Sequence, residues 1–317
     1  MSRQLTSLKS IFVLTLATST ALLAGCAATP QSGSTTPSEV TVQGVKISPD
    51  SSITELLPEK YKKDGLRAVT AAPFPPWEMF DENQNLYGLD IDLGNALAAK
   101  LGTSITFTSI DYNGVIPAIQ ADKFDAVFAG MGDTVEREKV LNFVIHSTQG
   151  YVLIVPKGNP NNISGIDGLC GSALAIEKGT QPPDYFDVLQ QNCKSAGEEG
   201  VKVSQLPKSS DGLLAMKSGN ADALYVGIST AVDLVESVDG GTALEIIAPE
   251  GKPFGWDPQN VGIGLPKTDP ELLDAVKAAM VALQEDGTLE KLFDVYGLGD
   301  FAAKEILVNT PLSEPLG

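Results

Sequence analysis

The stretch FDAVFAGMGDTVERE, residues 124–138, joins an apolar run typical of a buried β-strand to a glycine-rich loop and an acidic segment. Asp133 is a preferred N-cap residue, and Glu136 follows three positions later, which is the spacing of a capping box. The stretch therefore predicts a strand, a tight loop and a helix over 133–143. Strand and helix patterns alternate along most of the chain, and this alternation predicts an α/β fold with largely parallel sheets.

Residues 1–25 have the pattern of an export signal. Arg3 and Lys9 precede the apolar run IFVLTLATSTALLA, which is too short for a comfortable membrane span and suits a signal-peptide core. The run ends in LAGC, which resembles the bacterial lipobox and predicts that Cys26 becomes a lipid-modified first residue. An ordinary secretory signal with an incidental cysteine is the alternative. The low-complexity tether AATPQSGSTTPS directly after Cys26 favours the lipid anchor.

The composition narrows the choice of partners and location. The chain of 317 residues carries 40 acidic and 22 basic side chains, for a formal net charge of −18. Such an acidic surface, without a basic aromatic patch, argues against nucleic acid as a partner. After the signal, no sequence stretch is long and apolar enough to span a bilayer. We therefore expect an exported, lipid-anchored protein of the cell envelope, outside the cytoplasm, with two domains or lobes.

Two further cysteines, Cys170 and Cys193, remain once Cys26 is assigned to the anchor. In an exported protein a disulfide between them is the natural interpretation. It would stabilise the fold by roughly 3 kcal/mol in the chain-entropy model. Metal binding is the alternative. It has little support, because the chain has a single histidine, His146, and no CxxC motif.

Periodicity places the main elements along the chain. A strand is predicted at 66–69, followed by an irregular proline-rich loop and a helix over 89–101 that stops at Gly102. Residues 26–59 are interpreted as the tether and a short preamble, and residues 301–317 as a loosely held tail. The clearest helical segments lie near the end of the chain and read DPELLDAVKAAMVALQEDG and TLEKLFDVYG.

Arg137 lies in the first turn of the predicted helix, where the helix dipole already disfavours a cation. The free N–H groups at a helix start also seek a negative partner. Together these features predict an anion site whose strongest element is the guanidinium. Its planar fork suits a carboxylate held by two parallel hydrogen bonds. The alternative is a local ion pair between Asp133 and Arg137, worth roughly a few tenths of a kcal/mol.

Four segments, taken in order, resemble the family 3 extracellular solute-binding proteins, the amino-acid receptors of bacterial ABC importers. The segments are GLDIDLGNALAAKLG, NGVIPAIQADKFDAVFAGMGDTVEREKVLNF, KGT and DPELLDAVKAAMVALQEDGTLEKLFDVYG. The resemblance covers about residues 60–300. It implies a two-lobed periplasmic-binding-protein-like fold of type II, in which each lobe is a mostly parallel sheet flanked by helices. Lobe 1 would be 60–147 plus 255–300, lobe 2 would be 148–254, and two hinge strands near STQGY and IAPEGKPF would join them.

The resemblance also implies the ligand contacts. Arg137 would hold the ligand's α-carboxylate, and the rings of Phe74 and Tyr112 would pack on either side of the ligand. From the other lobe, backbone and side-chain groups of the segment GTQ, which is Gly179, Thr180 and Gln181, would reach the same carboxylate. Further implied ligand-binding positions are Gly130, Thr134, Gly227 and Trp77. Trp77 would support the proline-rich loop after the strand at 66–69, here called the first loop. From the residues alone, the two aromatics could be core residues, and the segment KGTQPP could be a simple turn.

Three positions depart from the family's pattern. A hydroxyl residue is usual where this chain has Gly132, an ammonium-binding aspartate is usual where it has Gly227, and an aspartate that reads a basic side chain often stands where it has Ala71. Losing the buried counter-charge of an ammonium costs on the order of several kcal/mol. Either the ligand has no free α-amine, or another acid replaces the aspartate. The candidate acids are Glu78, Glu177 and Asp184. The alanine argues against a plain lysine-type or arginine-type ligand.

Two classes of function follow from this sequence. We expect the substrate-binding lipoprotein of an ABC importer, a monomer without a cofactor. It would capture a small carboxylate-bearing solute, an amino acid or a derivative, by lobe closure and deliver it to the permease. The alternative is an enzyme on the same fold, similar to the cyclohexadienyl dehydratases, with Glu78, Glu136 or Glu177 as general acid. A third possibility is a surface protein that binds its ligand to trigger a signal rather than to supply a transporter. The anchor and tether favour the importer.

Overall fold

The computed structural model describes residues 39–181 and 185–312. Several predicted features therefore lie outside the described residues. They are the signal peptide 1–25, the lipobox with Cys26, the tether up to residue 38, Asp184 and the last residues, 313–317. Within the two described ranges, no helix combines the length and the apolar character needed to cross a bilayer.

The first lobe is built around three parallel strands. Its elements in chain order are β1 (Val40–Val42), β2 (Val45–Ile47), α1 (Ser51–Leu56), α2 (Glu59–Asp64), β3 (Leu66–Thr70), β4 (Met79–Phe80), β5 (Leu86–Tyr87), α3 (Leu89–Leu101), β6 (Ile105–Ser109), α4 (Val115–Gln120) and β7 (Ala126–Val127). Strand β3 lies between β6 and β7 and is parallel to both. Helix α3 ends as predicted, because Gly102 adopts the left-handed conformation, with φ +69°, that glycine tolerates best.

The second lobe repeats this arrangement. Its elements are β8 (Leu141–Pro156), β9 (Ala173–Glu177), α5 (Tyr185–Ser195), β10 (Lys202–Leu206), α6 (Ser209–Lys217), β11 (Ala223–Gly227), α7 (Ile228–Ser237) and β12 (Leu244–Ile247). Strand β9 lies between β10 and β11 and is parallel to both. Strands β11 and β12 both pair with β8 in antiparallel orientation. The chain thus alternates between strand and helix as the sequence predicted.

Two long strands connect the lobes. After β12 the chain returns through β13 (Trp256–Pro266) to α8 (Pro270–Glu285) and α9 (Thr288–Val295). Strand β13 runs antiparallel to β8, with register shifts on the way, and the two belong to one sheet of order β10-β9-β11-β8-β13-β7-β3-β6. This architecture confirms the predicted two-lobed α/β fold. The segment STQGY lies within β8, but its partner is residues 256–261, just after the predicted segment IAPEGKPF.

Each lobe buries apolar side chains on both faces of its part of the sheet. In the first lobe, one core holds Met280 and Phe293 under α3, α8 and α9, and the other surrounds Phe143 near α4. In the second lobe, Leu189 of α5 and Leu234 of α7 belong to two separate cores. Helices therefore cover both faces of the sheet, which is the usual way to bury strands with near-continuous apolar sequences.

The preamble and the tail both pack against the first lobe. Leu57 of the preamble is buried in the first-lobe core together with residues of β1, β2 and α1. The tail from residue 301 was expected to be loose, yet Leu307 O accepts a hydrogen bond of 2.9 Å from Ile145 N. The side chain of Asn260 donates to Thr310 O at 2.7 Å. The tail is short and irregular, so periodicity could not reveal that it packs against β8 and β13.

The second lobe contains the predicted disulfide. Cys170 and Cys193 are bonded, and their Cα atoms lie 5.5 Å apart, a usual separation for a disulfide. The bond ties the segment before β9 to the last turns of α5, where Cys193 is fully buried in the core. It therefore crosslinks two elements on the same face of the second lobe.

Replacing both cysteines with alanine is expected to lower the free energy of unfolding by about 3 kcal/mol, because the unfolded chain regains loop entropy. Urea denaturation of the variant Cys170→Ala/Cys193→Ala, followed by circular dichroism, measures this change. Wild-type protein kept in a reductant is the matched control and should lose a similar amount. Equal stability of all three samples would contradict a structural role for the disulfide.

Candidate functional site

A cleft lies between the two lobes where β8 and β13 cross. Both strands contribute to its lining, and so do loops and helix starts from each lobe. The aromatic lining residues are Phe74, Tyr112, Tyr151 and Tyr225; the polar ones are Gln149, Glu177, Thr180, Ser209 and Gln259; glycines line it at Gly130, Gly132, Gly150 and Gly227. The structure therefore brings together five of the predicted site residues, which are Phe74, Tyr112, Gly130, Thr180 and Gly227.

Arg137 lies beside this cleft rather than in its lining and spans the two lobes. Its Nη1 donates to Gly132 O at 2.8 Å in the first lobe, and its Nη2 donates to Gly179 O at 2.9 Å in the second. The guanidinium carbon is 5.8 Å from the centre of the Tyr112 ring, within cation–π range. The half-buried cation therefore contacts residues on both walls of the cleft.

The helix predicted over 133–143 is wrong. The structure has one 3-10 turn, Arg137–Lys139, followed at once by β8. Residue 134 performs the capping role predicted for Asp133, because Thr134 Oγ1 accepts a hydrogen bond from Arg137 N at 3.2 Å. Burial of the apolar residues at the start of β8 outweighs the local capping pattern. The guanidinium alone, and not a helix dipole, now supplies the positive charge at this point.

Asp133 does not form the local ion pair with Arg137 that was the alternative interpretation. Both of its carboxylate oxygens are buried without a hydrogen-bond donor in the described chain. Burial raises the pKa of Asp133 to about 7, and the nearby negative charge of Glu138 adds to the effect. Arg137 is therefore not neutralised by a hydrogen-bonded acid from its own loop.

The segment GTQ forms part of the second-lobe wall. The carbonyl of Gly179, rather than an N–H group, faces Arg137. Thr180 lines the cleft, and its Oγ1 donates to Glu177 O at 2.7 Å. Gln181 is buried away from the lining, and its Nε2 has no acceptor in the described chain. Among these residues, the structure places only Thr180 where it can touch a ligand.

Glu177 is the one acidic side chain of the described residues that lines the cleft. Its Oε2 accepts hydrogen bonds from Ser209 N at 3.1 Å and from Ser209 Oγ at 2.7 Å. Burial raises the pKa of Glu177, and these two bonds oppose the rise because they favour the charged form. Of the proposed acids that the structure describes, this one alone has a position from which it could face a ligand. No three His, Cys, Asp or Glu side chains in the described ranges cluster closely enough for a metal.

Glu78, a second candidate acid, lies behind the cleft and pairs with Asp90. The side chain of Glu78 is fully buried, and its carboxyl lies close enough to that of Asp90 for the two charges to interact. Asp90 Oδ2 accepts a bond of 2.7 Å from Gly130 N. A Cβ at Gly130, where φ is +52°, would lie 2.8 Å from the Phe74 ring. The acid pair thus fixes a glycine turn that leaves room for Phe74.

Trp77 connects the first loop to the second lobe. Its indole Nε1 donates to Ser229 Oγ at 2.9 Å, and Ser229 Oγ donates to Gln149 Oε1 at 2.6 Å. All three side chains are buried. The indole ring also packs against His146 at 5.9 Å and Phe293 at 6.1 Å. The prediction that Trp77 supports the first loop stays a prediction, and the structure adds a hydrogen-bonded link between the lobes.

Sequence reasoning missed several residues of the cleft. Tyr151 stacks on Tyr225 with ring centres 4.9 Å apart. Tyr225 and Tyr185 both donate to the same oxygen of Asp257 on β13. Gln259 reaches the cleft because it lies on β13 opposite Gln149 of β8. Two of the tyrosines gave a usable signal. Tyr151 belongs to the predicted hinge segment STQGY, and Tyr225 lies two residues before Gly227, but neither matches a family motif.

Comparisons with known proteins agree with this geometry. The family model of bacterial extracellular solute-binding proteins, family 3, matches residues 66–299. The chain is similar to the ABC transporter arginine-binding protein 1 of Escherichia coli K12, with 26% identity over 230 residues, covering 71% of this chain and 87% of that protein.

Solved structures show the same relationship. An ancestral arginine-binding protein bound to arginine superposes with a TM-score of 0.63 at 33% identity, covering 73% of this chain and 97% of that one. An ancestral amino acid-binding protein described as a precursor of cyclohexadienyl dehydratase superposes with a TM-score of 0.61 at 27% identity, covering 78% of this chain and 99% of its own.

Removing the hydroxyl that links the lobes is expected to weaken the closed arrangement. Ser229→Ala leaves the indole N–H of Trp77 and the amide oxygen of Gln149 without their partner, at a cost of about 1–3 kcal/mol. We expect a larger radius of gyration in small-angle scattering. Ser237→Ala is the matched control, because that hydroxyl bonds only within α7. An unchanged scattering curve for Ser229→Ala would refute the link.

The buried acid pair predicts a pH dependence of stability. Burial, with the charge of Asp90, raises the pKa of Glu78 well above its usual value, and burial raises that of Asp90 to about 7. The unfolded chain releases these protons nearer pH 4, so it binds fewer protons than the folded chain above that pH. The free energy of unfolding therefore falls as pH rises from about 4 to about 7.

We expect Glu78→Gln to make this fall smaller by at least about 1 kcal/mol, because one titrating carboxyl is removed. Urea denaturation at several pH values measures the difference. Glu82→Gln, at an exposed position of the neighbouring loop, is the matched control and should follow the wild type. Parallel curves for Glu78→Gln and wild type would contradict a protonated pair.

Proposed function

The chain belongs to the bacterial extracellular solute-binding proteins of family 3, and on that basis we propose that it is the substrate-binding lipoprotein of an ABC importer. Its ligand is a small carboxylate-bearing solute, an amino acid or a derivative of one. The cleft between the lobes captures this solute, and the closed protein delivers it to the permease. Arg137, which lies beside the cleft and contacts both of its walls, is the observation that carries this proposal.

Arg137 has the chemistry needed to bind a carboxylate. A guanidinium has five N–H donors in a fixed fork, and the two carbonyl bonds to Gly132 and Gly179 leave donors available. Neutral carbonyl oxygens are weaker partners for a cation than a carboxylate, since charge-assisted hydrogen bonds are roughly twice as strong. An incoming carboxylate can therefore use the unoccupied donors or replace one of the carbonyls.

Lobe closure follows from differential affinity. The bond from Arg137 to Gly179 and the link from Trp77 to Ser229 both join the lobes, so they exist only when the lobes are together. A ligand that contacts both walls binds this closed form more tightly than an open form and shifts the equilibrium towards it. The permease would then recognise the closed, loaded protein.

The proposed location follows from the first residues. Residues 1–25 would direct export and be removed, and Cys26 would carry the lipid that holds the protein at the membrane. The acyl chains would contribute roughly 0.8 kcal/mol for each buried methylene group. A monomer tethered through residues 27–38 could then bind solutes from the surrounding solution and still reach the permease in the same membrane.

Arg137→Ala is expected to weaken the binding of the best ligand by about 100-fold, because a charge-assisted bidentate contact is lost. The ligand is found first by a thermal-shift screen of amino acids, betaines and small organic acids on the full-length protein. A ligand at 100 times its dissociation constant stabilises the fold by about 2.7 kcal/mol. Calorimetric titration then compares the variants.

Lys139→Ala is the matched control for this test. It removes a positive charge two residues away, from an exposed side chain that pairs only with Glu136, and should leave the affinity unchanged. Loss of binding in Arg137→Ala but not in Lys139→Ala supports a carboxylate contact. Equal affinity of both variants and the wild type would refute the proposed role of Arg137.

An enzyme of the cyclohexadienyl dehydratase type is the second candidate, because the carboxyl of Glu177 faces the cleft and has a raised pKa. A general acid with these properties could protonate a leaving group. Glu136 is exposed and Glu78 is sealed behind the cleft, so neither can take this role. Incubation with prephenate or arogenate distinguishes the two functions. The importer proposal predicts no turnover, and turnover that is lost in Glu177→Gln would establish the enzyme.

A further inference from the structure

The nature of the cleft lining suggests which cationic group the ligand carries. Among the glycines that line the cleft, Gly130 and Gly132 are in the first lobe, and Gly227 is at the start of α7. None of the three offers a side-chain acceptor. A ligand ammonium lying against these glycines would therefore bring three N–H donors to a part of the lining without a side-chain oxygen.

The glutamines near these glycines do not replace such an acceptor. Gln149 lies closest to the space beside Gly227, and its Oε1 is already occupied by the hydroxyl of Ser229. Gln259 Oε1 lies 2.0 Å from the position that a Cβ at Gly132 would take, so it fills the place of a side chain there. It offers one neutral oxygen. Any buried N–H donor of an ammonium left unpaired at these glycines is costly.

The same cleft is unusually rich in aromatic rings. Phe74 and Tyr112 come from the first lobe, Tyr151 from the crossing strand and Tyr225 from the second lobe. Aromatic faces attract cations through their quadrupole, and groups of such rings are suited to quaternary ammonium ions, which have no N–H to satisfy. Glu177 supplies one negative charge on the same lining, which balances a cation without requiring a direct hydrogen bond from it.

We propose that the ligand is a betaine, a carboxylate whose nitrogen is fully alkylated and held by the aromatic rings of the cleft. This inference rests on the proposed function, because Arg137 is taken to hold the carboxylate end. It adds that the lining discriminates against a free α-ammonium. The nitrogen is recognised by ring faces and by the charge of Glu177, not by hydrogen bonds.

A methylation series tests the proposal directly. Calorimetric titration of the full-length protein compares glycine, sarcosine, N,N-dimethylglycine and glycine betaine, and likewise L-proline and proline betaine. We expect affinity to rise with methylation. In whichever of the two series binds more tightly, the quaternary ion should bind at least about tenfold more tightly than the unmethylated amine. Equal or tighter binding of the less methylated member overturns the proposal. So does a failure of both betaines to bind.

The variant Gly227→Asp should reverse the preference. A Cβ at Gly227 would meet its nearest atom, Gln149 Oε1, at 3.6 Å, which is ordinary contact. The backbone there, with φ −55° and ψ 141°, suits aspartate at the start of a helix. The new carboxylate would accept the N–H groups of an ammonium. We expect the affinity ratio of betaine to amino acid to fall at least about tenfold.

Gly240→Asp is the matched control for charge. It lies in the same lobe at an exposed turn, a Cβ there meets no atom within 4 Å, and φ +62° is a conformation that aspartate tolerates. It should keep the wild-type ratio.

A second variant, Phe74→Leu, keeps an apolar side chain but removes a ring, and should weaken the binding of betaine more than the binding of amino acid. Circular dichroism confirms that each variant is folded. An unchanged ratio in both Gly227→Asp and Phe74→Leu overturns the inference.

The outcomes separate this inference from the proposed function. If a primary amino acid binds best and its affinity depends on Arg137, the importer proposal stands and the betaine inference fails. If the best ligand of the broad screen is indifferent to Arg137→Ala, the carboxylate contact fails, and the inference fails with it. Tight binding of a betaine that depends on both Arg137 and Phe74 supports both.

Discussion

The antiparallel pairing of β8 with β13 is the constraint on which the rest of the structure depends. Both strands pass from one lobe to the other, and their ladder extends from Trp256 opposite Tyr151 to Pro266 opposite Leu141. The ladder holds the parallel strands of each lobe in one sheet and places Gln149, Tyr151 and Gln259 in the cleft. Because the lobes share these two strands, they can move relative to each other only through changes in the crossing segments.

The fold was predictable because its elements obey local rules. Helix α3 shows its period and its glycine stop, and the alternation of strands and helices determines the class of sheet. The prediction of a helix beginning at Asp133 was wrong because burial of the following residues in β8 outweighed a capping pattern worth about 1 kcal/mol. The prediction of a loose tail was wrong for a related reason. The few apolar residues of the tail can pack only when β8, which is distant in sequence, is present to contact them.

The candidate site was predictable only in part. Phe74, Tyr112 and Gly227 were found because they occupy positions of a family pattern. Tyr225 and Gln259 carry no such signal, since a tyrosine in a strand is ordinary and a glutamine faces a cleft only through the register of β13. Glu78 was misjudged because a sequence cannot show whether an acid faces a ligand or, as here, another acid. Charge position in a folded protein is a property of packing, which local sequence does not encode.

The order of elements has a consequence for how the chain matures. Strands β9 to β12 and their helices are consecutive, so that half can assemble as soon as it is available. The other half needs β13, α8, α9 and residues up to Thr310, all of which come last. A chain delivered across a membrane from its N-terminus would therefore expose the apolar face of β3 and α3 until nearly its final residues emerge. Truncations near the C-terminus should consequently leave the first lobe incompletely folded, even though every cleft residue is present.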